Sequence, residues 1–111
     1  MDRRATINTG RAMTIDEAID EYLHALVRSR PWTKKREEAA LTAFGTWLLA
    51  QPDVRLTLDA ITPAVAERYV AAAGLAAAER DHLLGALHHL YTWAIYARAT
   101  TRNPFPPTDP A

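Results

Sequence analysis

The chain has no cysteine, which excludes disulfides and thiolate metal sites and leaves folding independent of redox state. It has no apolar run near the length that crosses a bilayer. The opening Met1-Asp2-Arg3-Arg4-Ala5-Thr6 lacks the apolar stretch of a signal peptide. A soluble, cytoplasmic protein with no membrane partner is expected. Net charge is missing as well: 13 basic residues balance 13 acidic ones, which argues against a generic polybasic binder. There is no glycine-rich phosphate loop, no zinc-ligand spacing and no Ser/His/Asp order with supporting motifs. His82 and His89 share a helix face seven residues apart, but a metal site prefers histidines four apart or a second cluster. No metal, cofactor or small-molecule substrate is expected.

What is present suits one domain with one core. The 111 residues are 49% hydrophobic, with three Trp, four Tyr and two Phe. Charge, although balanced overall, is placed unevenly. The nine residues from Arg28 to Arg36 carry Arg28, Arg30, Lys34, Lys35 and Arg36 and no acid. Such a corner on a small helical module fits contact with a polyanion, most naturally a DNA backbone. It fits a solvated inter-helix loop equally well on charge alone.

The periodicity predicts an all-α fold of four main helices. Residues 1–13, with Arg3, Arg4 and Arg11, show no period and read as a flexible arm able to add a DNA contact. Thr14-x-x-Glu17 is a capping box, and Ile15, Ala18, Ile19, Tyr22, Leu23, Leu26 and Val27 form one apolar stripe behind it. Pro31 ends that helix. Thr33 is the expected N-cap of a second helix running to about Ala50, with Ala40, Leu41, Phe44, Trp47 and Leu48 inward and Gly45 marking a close crossing. A short apolar connection spans 56–61. Thr62-Pro63 opens a third helix using Val65, Tyr69 and Val70, and Gly74 stops it. The fourth runs from near Ala76 to about Arg98, with Leu83, Leu84, Leu87, Leu90, Tyr91, Ala94 and Ile95 inward. Four prolines between Asn103 and Pro110 describe an extended tail or linker. The expected boundaries are an arm at 1–13, a helical domain at 14–102 and a Pro-rich tail at 103–111.

The order of these signals resembles the core-binding domain of tyrosine recombinases, the phage integrase family, a four-helix domain of SAM-like type. The capped Thr14-Ile15-Asp16-Glu17 leading to Tyr22-Leu23 resembles the family's opening helix. Ser29-x-x-x-Thr33 followed by Leu41-x-x-Phe44-x-x-Trp47-Leu48 resembles its second. Leu58-x-x-Ile61-Thr62-Pro63-x-Val65-x-x-x-Tyr69 is similar to its third segment, and Leu84-Gly85-Ala86-Leu87-His88-His89-Leu90-Tyr91-Thr92-Trp93-Ala94 to its fourth helix. Asn103-Pro104 stands where the family leaves this domain for its catalytic one. The resemblance covers about residues 13–105.

The resemblance implies a module that closes over one face of double-stranded DNA. It places contacts at Thr33, Lys34, Lys35 and Arg36 and along the fourth helix at Arg80, His82, His88 and His89; Arg28 and Arg30 join them from the basic corner. Lysine and arginine beside the amides of a helix N-terminus suit phosphate oxygens. The family commonly has Arg where this chain has His82 and His88, and neutral imidazoles release few counterions, so weaker or pH-dependent binding is expected there. No arrangement for bidentate base readout is evident, so phosphate contacts should dominate.

The family's chemistry uses a Tyr nucleophile with Arg, Lys and a His-x-x-Arg element, all implied to lie in a domain beyond Asn103-Pro104. No His in this chain has Arg three residues later, and Tyr22, Tyr69 and Tyr91 lie on apolar stripes. The chain is expected to be non-catalytic alone. Two alternatives stay open: a helical protein-interaction domain whose basic corner meets an acidic partner, and a modulator that pairs with a full-length recombinase or its catalytic domain. Trp93 is expected to pack between helices. Trp32, beside the basic corner, either packs or contacts a backbone or groove.

Overall fold

The computed structural model describes residues 13–106, and among them the fold is all-helical. Four helices, α1 (Ile15–Ser29), α2 (Pro31–Leu49), α3 (Pro63–Ala73) and α4 (Ala77–Tyr96), are joined with a 3-10 turn at Leu58–Ala60. The arm that carries Arg3, Arg4 and Arg11, and tail residues 107–111, lie outside the described residues.

Thr14 caps α1 as its capping box requires: its hydroxyl accepts from the Glu17 amide at 3.4 Å, and Glu17 accepts from the Thr14 amide at 3.1 Å. The stripe behind it is buried from Ile15 to Leu26. Val27 follows the same period but is 53% exposed, because the buried part of the helix ends at Leu26. Only Arg30 separates α1 from α2. The second helix therefore starts at Pro31 rather than behind Thr33. Proline takes the first helical position, which needs no amide donor, and Thr33 falls inside the first turn instead of capping it.

The two helices form an antiparallel hairpin. Tyr22 meets Glu37 near the turn, and Ile19 meets Gly45 further along, where an added Cβ would come within 3.3 Å of Ile19 Cδ1. Gly45 is thus the close crossing its position in the sequence predicts. Helix α4 packs against both, and Leu41, Phe44, Leu48, Leu87, Leu90 and Tyr91 lie in the shared core. On α4, Ile95 is 41% exposed, so the inward face ends at Ala94.

The connection at 56–61 ties the start of the fold to its centre. Thr57 pairs with Thr14 in one antiparallel bridge, with the Ile15 amide donating to Leu56 at 2.6 Å and the Leu58 amide to Met13 at 3.0 Å. The buried Tyr91 hydroxyl donates to the Leu58 carbonyl at 2.6 Å. Thr62 caps α3 and Gly74 closes it in the left-handed region at φ 67°, both as the sequence signals.

The segment after α4 differs from an extended tail. Arg98 turns the chain at φ 62°, with the Ala99 amide donating to Ala94 at 2.8 Å and the Arg98 amide to Ile95 at 3.0 Å. This is the paired bonding of a glycine-type helix stop made without glycine. The chain then returns along α4. Phe105 is 1% exposed and its ring lies 5.2 Å from Tyr91. Proline excludes helix here but does not prevent one aromatic side chain from docking into the core.

Candidate nucleic-acid interface

The basic corner falls where α1 ends and α2 begins, and α4 supplies a facing wall. Between them runs a groove of about 640 Å³ whose lining includes Arg30, Thr33, Arg36, His89, Trp93 and Tyr96. Its lining holds no acidic residue. Three other grooves on the described surface each contain acids: Glu79 beside His82, Glu21 beside Arg28, and Asp16, Asp20 and Glu38 beside Gly45. Low acid content and two guanidinium groups make this groove more favourable to an anion than those three.

Beneath it lies the acid that the basic corner needs for its architecture. Glu37 is 2% exposed, yet both carboxylate oxygens are satisfied. The Tyr22 hydroxyl donates to Oε1 at 2.6 Å, and His89 Nδ1 donates to Oε2 at 2.6 Å. One side chain thereby joins α1, α2 and α4. A carboxylate can only accept, so the proton on Nδ1 fixes the His89 tautomer and leaves its other ring nitrogen for a ligand at the groove wall. Burial, helped by the neighbouring Glu37, pushes the Tyr22 phenol well above the ordinary tyrosine range. The sequence did carry a signal for Glu37: it occupies the stripe position four residues before Leu41. Its charge hid it.

The end of α2 adds to the anion-favouring character. Arg30 provides no side-chain cap, in contrast to Thr14 on α1 and Thr62 on α3. Pro31 has no amide, so the amides of Trp32 and Thr33 remain at the positive end of the helix without a capping side chain.

The ten residues expected at the interface separate into groups. Arg30, Thr33, Arg36 and His89 come together in the groove. Arg28, Arg30, Lys35 and Arg36 are exposed and have no carboxylate at ion-pair distance among the described residues. Lys34 is partly buried and bonded to Glu38 at 2.9 Å, one helical turn on.

The others are engaged elsewhere. Arg80 forms a two-pronged pair with Glu67, its Nε at 3.1 Å from Oε1 and its second nitrogen against Oε2, with Asp81 alongside at 3.6 Å. Hydrogen bonding to Glu67 raises the Arg80 guanidinium, and the same bonds hold the Glu67 carboxyl below its ordinary value. Its charge is neutralised locally, so Arg80 does not join the cationic groove. His82 bonds the Arg36 carbonyl at 2.7 Å and fastens α4 to α2. His88 bonds the Phe105 carbonyl at 2.7 Å, while the Asn103 amide donates to the His88 carbonyl at 3.0 Å and to Thr92 at 3.2 Å. His82 and His88 thus hold the fold in positions where a basic side chain would reach outward.

Two aromatic residues complete the surface. Trp32 is 80% exposed, which removes packing as its role. Trp93 packs on Tyr22 with ring centroids 5.9 Å apart, as expected of it. Tyr96, at the end of α4, is 87% exposed beside the groove. Sequence reasoning passed over Tyr96, whose only signal was an aromatic ring off the apolar stripe in the last turn.

No family model matches the chain, and neither a curated protein nor a solved structure matches it. Among the described residues no group of three His, Cys, Asp or Glu is placed to hold a metal ion, and no helix is long and apolar enough to cross a membrane.

Proposed function

We propose that this chain is a DNA-binding module of tyrosine recombinase type, non-catalytic alone, which holds duplex DNA mainly through phosphates. The observation that carries this is the acid-free groove between α1, α2 and α4, with Arg30, Arg36 and His89 in its lining and Arg28 and Lys35 exposed on the same corner. Unpaired guanidinium groups beside an uncapped helix N-terminus suit phosphate oxygens. The ordered helical signals of the sequence support the family likeness, and the same signals lack a catalytic His-x-x-Arg element. Charge reversal at Arg30 and Arg36 tests the proposal. Duplex binding should disappear while circular dichroism stays unchanged; retained binding in the folded double variant would overturn it.

A second reading has its own support. Exposed Val27, Trp32 and Tyr96 belong to the helix ends around the basic corner and suit a protein partner with acidic and apolar groups. The duplex is favoured because arginines are interspersed among these rings.

A further inference from the structure

A duplex backbone would use the cations of this groove but not its rings. Tyr96 leaves 87% of its surface exposed at a groove that also holds Arg30 and Arg36, and Trp93 forms part of the same wall. Cations that track phosphates, alternating with aromatic faces, are what an unpaired base requires: it offers a π-face that a paired and stacked base hides. The groove's 640 Å³ lies within the range of sites that enclose a small ligand. Its polar wall matches such a ligand too. The ring nitrogen of His89 not engaged by Glu37, together with Thr33, provides hydrogen-bonding groups beside the guanidiniums.

We propose that this groove receives one unpaired nucleotide of a DNA strand, its phosphate held by Arg30 and Arg36 and its base laid against Tyr96. The proposal rests on the nucleic-acid reading of the groove and adds a preference that duplex binding alone does not require. Tyr96 acts as a stacking platform, and the arginines set the position of the strand. A base swung out of a duplex, or one at a strand end, meets this requirement.

The test compares three labelled probes by fluorescence anisotropy: an intact duplex, the same duplex with one extrahelical thymidine, and the same duplex with an abasic residue at that position. The abasic probe keeps the extra phosphate and the local bend and removes only the base. The thymidine probe should bind at least about fivefold tighter than the abasic one, the lower limit of a single stacking contact. Tyr96→Ala should erase that difference and Tyr96→Phe should keep it, each read as the ratio of the thymidine and abasic affinities measured with the same variant. Equal affinity for the thymidine and abasic probes, or a preference that survives Tyr96→Ala, would overturn the stacking site and leave duplex binding standing. No binding to any of the three at low salt would remove both proposals. Because Tyr96 is almost wholly exposed, its substitution leaves the core intact, which circular dichroism checks.

Discussion

Glu37 and His89 meet at 2.6 Å where α2 and α4 come together, with the carboxylate buried and the imidazole at the wall of the basic groove. A buried acid in this place costs desolvation unless every lone pair is engaged, and the Tyr22 hydroxyl provides the second partner. The pair connects the fold to its candidate site, since the same carboxylate that joins three helices also orients the groove's histidine.

Removing the acid should therefore be expensive. Glu37→Ala leaves Tyr22 and His89 without their acceptor and opens space in the core, which should lower stability by about 2–4 kcal/mol in a denaturant titration. A loss under about 0.5 kcal/mol would mean that the bridge contributes little. His89→Ala removes one arm only and should cost less.

Local signals in this sequence were readable because they act within one turn. Thr14 with Glu17, Thr62 with Pro63, and Gly74 each satisfy neighbouring backbone groups, so residue type and spacing suffice. Gly45 was readable through its cost inside a helix. Partners distant in sequence were not. Arg80 and His82 look like free basic groups on a helix, and only the approach of Glu67 and of the Arg36 carbonyl commits them. Phe105 lies between Pro104 and Pro106, which describe local backbone and say nothing of the Tyr91 ring 5.2 Å away. The basic corner lay between these cases: its charges were visible, but the wall bearing His89 and Tyr96 arrives from 50 or more residues along the chain.

Alkaline titration should separate the tyrosines. Burial raises the Tyr22 phenol, with Glu37 adding to it, and burial with the Asp59 charge raises that of Tyr91. In the unfolded chain both ionise near the ordinary value of about 10. A folded value above the unfolded one means stability is fully present below about pH 10 and is lost as pH rises beyond it. Phenolate absorbance for these two residues should appear together with loss of helix. Ionisation of Tyr22 and Tyr91 ahead of any change in circular dichroism would contradict their buried, bonded state.

Arg98 occupies a left-handed position that glycine fills without penalty. Arg98→Gly should raise stability by about 0.5–1 kcal/mol, the left-handed strain relieved exceeding the added chain entropy of the unfolded state. Gly74→Ala, at the equivalent stop of α3, should lower it by about 1 kcal/mol. Thermal unfolding of the two variants reads both signs.

Arg80 provides a negative test of the interface. Its guanidinium is committed to Glu67, so Arg80→Gln should let the Glu67 carboxyl rise toward its ordinary value in a carbon-detected NMR titration. A depressed carboxyl contributes stability above its unfolded pKa and loses that contribution as pH falls through the folded value, so the acid limb of the stability profile should weaken in the variant. Duplex affinity should change by less than about twofold. A loss comparable with that of Arg30 or Arg36 variants would place Arg80 in the interface after all.

The decisive measurement is the salt dependence of duplex binding by the intact chain, followed by anisotropy with a labelled duplex of arbitrary sequence. Four exposed, unpaired cations, Arg28, Arg30, Lys35 and Arg36, should each displace about one counterion. The logarithm of the association constant should then fall with that of salt concentration at a slope of about −3 to −4, from about −0.9 per phosphate neutralised. The slope should shrink toward −2 when Arg30 and Arg36 are both replaced by Gln. Absence of binding at low salt, or affinity indifferent to salt, would contradict a phosphate-holding role for the basic groove.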